Sequence, residues 1–90
     1  MSEDADIAIA LQYDKEKDNA PRIVAKGMRL RSDKIRAIAK EYNIPIMRNV
    51  TLAGALYRVD VGQEVPEELY DAVAEVLNFV YALQQESQKK

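Results

Sequence analysis

Apolar positions along this 90-residue chain change period from segment to segment, and the changes divide it into strands and helices. Ile7, Ile9, Leu11 and Tyr13 alternate with Ala8, Ala10 and Gln12, a period of two that predicts a strand. One face of that strand is large-sided; the other is small-sided and also suited to being covered. Asp14 to Asn19 is polar throughout and predicts a solvated turn. Ala20 and Pro21 lead into a second short strand, Arg22 to Ala25, which Gly27 is expected to end by supplying a tight turn. Leu30, Ile35, Ile38, Ala39 and Tyr42 then recur at helical spacing and predict a helix buried along that stripe, with Asn43 and Pro45 marking its stop. Ile44 to Met47 reads as a third strand, and the order strand, helix, strand predicts a right-handed parallel crossover. Thr51 is a candidate cap for a short helix from Leu52 to Tyr57.

The strongest periodic signal lies in the last third. Pro66 sits where a first-turn proline is preorganised, and Glu67 and Glu68 face the positive end of the helix dipole. Leu69, Val73, Val76, Leu77, Val80 and Leu83 follow at helical spacing, so an amphipathic helix of about five turns is expected. Together these elements predict an α/β fold: a small mixed sheet of three or more strands packed with about three helices. The chain has the length of one domain, 1–90, with residues 1–5 and 85–90 expected to fray.

Composition narrows the chemistry. A domain of this size buries only about 60 % of its unfolded surface, enough for one modest core and not for a large internal active site, so no cofactor is expected. With no cysteine and no histidine there is neither a disulfide framework nor a thiolate metal site. The serines, Ser2, Ser32 and Ser87, have no recognisable base, so an enzyme is not expected. Asp14, Glu16 and Asp18 lack the glycine and terminal glutamate of a calcium loop. Glu75 in the closing helix reads as an outward-pointing acid, and Gly62-Gln63-Glu64 as a turn that aims that helix rather than a phosphate cradle. No signal peptide opens the sequence, and no apolar run reaches the ~18 residues of a membrane span, which predicts a cytoplasmic protein.

Charge changes the picture once more, because it is segregated. Residues 20–40 carry a net +6, whereas residues 1–19 carry −4 and residues 60–90 carry −5. The basic set Arg22, Lys26, Arg29, Arg31, Lys34, Arg36 and Lys40 has the makings of an acidic-partner or nucleic-acid surface. An overall net charge of −2 and the lack of interleaved aromatics weigh against nucleic acid and favour a solvated helix face balanced within the fold.

Beyond periodicity, the wording of five segments matters: Val24-Ala25-Lys26-Gly27, Ile35-Arg36-Ala37-Ile38-Ala39, Ile44-Pro45-Ile46, Leu52-Ala53-Gly54-Ala55-Leu56-Tyr57 and Val61-Gly62-Gln63-Glu64-Val65-Pro66-Glu67-Glu68-Leu69-Tyr70. From about Ile7 to Leu83, in this order, they resemble the C-terminal cytoplasmic part of the FlhB/EscU family, the switch proteins of flagellar and virulence type III export. The resemblance implies a non-catalytic component of protein export that binds export substrates or the membrane-anchored half of an FlhB-like protein at the export gate. Family members cut themselves within an Asn-Pro-Thr-His motif just before the strand that here starts at Ile7. Glu3-Asp4-Ala5-Asp6 stands there instead, and a carboxylate offers no nitrogen nucleophile, so autocleavage is not expected. The chain opens at about the point where the family's cleaved fragment opens and is expected to be a free-standing copy of that half. Asn49-Val50-Thr51 replaces the family's paired prolines, and the loop around Arg58-Val59-Asp60 is about one residue shorter. The alternative is a regulatory or nucleic-acid-binding module that keeps the fold and uses the basic stretch 22–40.

The resemblance also implies a site. In flagellar members a small apolar patch, made by an Ala-Pro before the second strand and by the last helix, receives the export signal of early substrates. The matching positions are Ala20, Pro21, Ala74 and Leu77. A proline among small side chains leaves a shallow rigid dimple suited to a weak peptide contact. Against this stands the plain reading of Ala74 and Leu77 as core residues. Arg22, Lys26, Arg29, Arg31 and Lys34 form the accompanying candidate partner surface.

Overall fold

The computed structural model describes residues 6–14 and 16–88, with side chains as far as residue 83. Strands β1 (Ile7–Gln12) and β2 (Arg22–Met28) pair antiparallel, Ile7 opposite Met28 and Gln12 opposite Arg22. Between Ala10 and Leu11 the register shifts, because Val24 is an extra residue on β2. The bulge lets Ile23 join Leu11 on the face that already holds Ile7 and Ile9. The opposite face is made of Ala8, Ala10, Ala25 and Gly27.

That small-sided face receives α1 (Leu30–Glu41). Gly27 lies inside β2 rather than in a turn after it. A Cβ there would stand 2.6 Å from the Arg31 Cβ and 3.3 Å from the Ile35 methyl, so its task is to let helix and sheet approach closely. The close approach also rotates the expected stripe of α1. Ser32 is fully buried, Ile35 and Ala39 are half-buried, and Leu30 and Tyr42 are 83 % and 69 % exposed. Ile38 is exposed as well.

On the large-sided face, Ile23 joins Leu52 and Leu56 of α2 (Val50–Leu56), Val65 and Val73 in the core, with Ile9, Leu11, Val76 and Leu77 packed around them. Asn49, not Thr51, caps α2: its side-chain oxygen accepts the Leu52 N–H at 3.0 Å. Pro66 precedes a single 3₁₀ turn, Glu67–Leu69, and α3 (Tyr70–Gln88) continues from it.

The expected third strand is absent among the described residues. Residues 44–49 carry no regular secondary structure, and the sheet is two-stranded and antiparallel, with no parallel crossover. An extended segment becomes a strand only by pairing, and no described strand lies alongside this one; Pro45 also removes a donor. Ile44, Ile46 and Met47 consequently remain exposed. Glu3, Asp4 and Ala5, where the resemblance places the cleavage motif, lie outside the described residues, as do 1–5 and 89–90 of the ends expected to fray, whereas 85–88 continue α3.

Candidate export-substrate cleft

The loop before α3 is stitched to the start of β2. Val65 N–H donates to the Pro21 carbonyl at 2.8 Å, Ile23 N–H to Gln63 at 3.0 Å, and Gly62 N–H to Ile23 at 2.7 Å. Gly62 makes this possible by adopting φ 94°, which is strained for other residues. Arg22 spans the same junction, donating to the Gly62 carbonyl at 2.7 Å and pairing with Glu64 at 3.6 Å. The entry to β2 and the first turns of α3 are therefore held in fixed relation.

A cleft of about 190 Å³ opens between them, lined by Tyr13, Asn19, Ala20, Pro21, Tyr70, Val73, Ala74 and Leu77. All four residues singled out in the sequence, Ala20, Pro21, Ala74 and Leu77, belong to it. Ala20 and Pro21 are buried and form one wall. Ala74 is exposed, so it is not a core residue, whereas Leu77 is half-buried and also packs on the core. Val73, at 1 % exposure, is the floor shared by cleft and core. Tyr13, Asn19, Tyr70 and Val73 were missed in the sequence. For Tyr70 and Val73 a signal is present: with Ala74 and Leu77 they follow the i, i+3, i+4, i+7 spacing of a single helix face.

The basic residues are not gathered in the same way. Arg22 and Lys26 project from opposite faces of the sheet. Lys26 crosses the core side of β2, donates to the carbonyls of Tyr57 (2.8 Å) and Val59 (3.1 Å) at the end of α2, and lies 4.9 Å from the centre of the Tyr57 ring. It caps a helix C-terminus. Arg36 pairs with Asp33 at 2.8 Å. Arg29 caps the N-terminal side of α1 at φ 56°, and Arg31 and Lys34 are exposed on that helix. Two of the five partner-surface candidates, Arg22 and Lys26, thus hold the fold together.

Residues 4–80 match the model of the FlhB HrpN YscU SpaS family. The chain belongs to that family. FlhB-like proteins of this kind serve flagellar biosynthesis and type III export. The flagellar biosynthetic protein FlhB of Bacillus subtilis is 51 % identical over 79 residues, covering 87 % of this chain but 22 % of the relative. FlhB of Escherichia coli is 49 % identical over 77 residues, again 20 % of the relative. The chain therefore spans about a fifth of the length of these flagellar relatives. An uncharacterized B. subtilis protein, YlqH, is 39 % identical over 83 residues, and there the match covers 92 % of this chain and 89 % of the relative. Among solved structures, the C-terminal domain of EscU/SpaS in a mutated form superposes with a TM-score of 0.82 at 27 % identity, covering 86 % of this chain and 96 % of that one. The PscU C-terminal domain gives 0.79 at 33 % identity, with 82 % and 95 % covered. Among the described residues no helix of this FlhB-family domain is long and apolar enough to cross a membrane.

Proposed function

We propose that this FlhB-family domain is a non-catalytic, cytoplasmic recognition module of flagellar or related type III export, and that it captures export substrates in the cleft between β2 and α3. One observation carries the reading. The four residues that family resemblance singles out converge, from positions more than fifty residues apart, on one rigid apolar cleft. An apolar floor with few polar groups on its rim is the usual composition of a site that takes a side chain of a peptide.

The reading includes a membrane-anchored partner. The partner is the membrane-anchored half of an FlhB-like protein at the export gate, and it docks on the open edge of β1, which pairs only with β2 among the described residues. With Glu3-Asp4-Ala5-Asp6 in place of the cleavage motif the module does not cut itself, and its mass after purification stays that of the uncut chain. The reading of residues 22–40 as a nucleic-acid surface gains nothing from the fold, in which Arg22, Lys26 and Arg36 already have partners.

The test is crosslinked capture of partners by the tagged protein from its own cells, comparing the native sequence with Ala74→Asp. A buried-face carboxylate would unfold the domain, but Ala74 is exposed, so the variant is expected to keep its circular dichroism and lose rod or hook subunits. Equal recovery of those subunits by both forms would overturn the cleft assignment.

A further inference from the structure

The cleft has an electrostatic setting that its apolar lining does not reveal. Tyr70, Val73, Ala74 and Leu77 give the cleft its α3 wall, and residues 67–77, the 3₁₀ turn and the first turns of that helix, include Glu67, Glu68, Asp71 and Glu75 and no lysine or arginine. On a helix surface, positions three and four apart adjoin, so Asp71 borders Ala74 directly and Glu75 borders Asp71. The opposite wall is only weakly acidic: Asp14 follows Tyr13 and Asp18 precedes Asn19, with Lys15, Glu16 and Lys17 between them, so the charge preference rests on the α3 side. Both carboxylates are tied into their loop: Asp18 accepts the Asp14 N–H, and Asp14 accepts the Glu16 N–H, each at 2.9 Å. Arg22, the nearest base in sequence to Pro21, is already paired with Glu64. The rim adds three polar groups, the Tyr13 and Tyr70 hydroxyls and the Asn19 amide, none of which has a hydrogen-bond partner among the described residues.

Taking the cleft as a peptide site, the reading on which this step rests, we propose that it selects basic segments: one apolar side chain enters the cleft, and lysine or arginine on the adjoining residues faces Asp71 and Glu75. The Asn19 amide and the two tyrosine hydroxyls hydrogen-bond the main chain of the bound segment, which fixes its direction. Charge complementarity commits the site to this occupant, since the same carboxylates repel acidic peptides and phosphates. Exposed charges act mainly by steering and are screened by salt, so the preference is a low-salt property.

The experiment follows the amide signals of Ala74 and Leu77 in the full isotope-labelled chain during titration with three capped peptides: Gly-Lys-Leu-Lys-Gly, Gly-Ser-Leu-Ser-Gly and Gly-Glu-Leu-Glu-Gly. At about 20 mM salt the lysine peptide is expected to bind on the order of tenfold more tightly than the glutamate peptide, with the ratio collapsing toward one at about 300 mM. In the double variant Asp71→Asn, Glu75→Gln the low-salt ratio is expected to fall at least several-fold. Equal binding of the lysine and glutamate peptides at low salt, or a ratio unmoved by the double variant, would overturn the charge selection and leave the cleft as an uncharged peptide site. Binding of none of the three at Ala74 and Leu77 would overturn the peptide site itself.

Discussion

Two residues, Gly27 on β2 and Ser32 on α1, show how tightly α1 is laid on the sheet. At Gly27 a Cβ would collide with Arg31, and Ser32 is fully buried with its hydroxyl lacking a partner among the described residues. A buried unpaired hydroxyl costs stability that a methyl would not. Ser32→Ala is therefore expected to raise unfolding stability by about 1 kcal/mol, measured by urea denaturation; a loss of stability would mean that the hydroxyl is satisfied. Lys26 is the converse case. A lysine on the core face of a strand looks like an error until its ammonium is seen closing the end of α2. Neither role was legible in the sequence, because both depend on an element that arrives from elsewhere in the chain. What was legible at this scale was the small-sided face itself, from the Ala8 and Ala10 alternation.

Among the elements, local signals read correctly where the pattern was long. β1, β2, α1, α2 and α3 all stand near their expected positions, and the described residues form three α-helices. The stripe of α1 was misread because burial follows the nearest surface, here a small-sided sheet, and not hydrophobicity alone; the exposed Leu30 and the buried Ser32 are the two ends of that error. The third strand was misread because a strand is defined by its partner, which no local pattern at Ile44 to Met47 can supply. The cap of α2 was displaced by two residues, and the structure yields a direct check. Asn49→Ala is expected to cost about 1 kcal/mol, whereas Thr51→Ala at the exposed Thr51 should change stability by less than about 0.5 kcal/mol. Equal effects would leave the Asn49 cap without energetic weight.

At the scale of the fold, the described residues form a two-stranded sheet clasped by α1 on one face and by α2 and α3 on the other, and the outer edge of β1 and an apolar segment at 44–47 are left open. Among the described residues β1 has no second neighbour, and Ile44, Ile46 and Met47 present apolar side chains from backbone that is not in a strand. On the proposed reading, the open edge is where the membrane-anchored half of an FlhB-like protein would add a strand. Adding a soluble fragment of that half is expected to slow amide exchange in Ile7 to Gln12 by about tenfold or more; unchanged exchange there would rule out docking on this edge. The four cleft residues could be named from the sequence only through family resemblance, since Ala20 and Ala74 carry no chemistry of their own. Their convergence is a property of the assembled fold.

The most direct measurement is residue-resolved NMR of the intact chain titrated with the N-terminal export segment of a rod or hook subunit. Shifts are expected to centre on Ala20, Tyr70, Ala74 and Leu77 and to be lost in Ala74→Asp. Shifts centred instead on Arg31 and Lys34 of α1, or none at any ratio, would rule out substrate capture in this cleft.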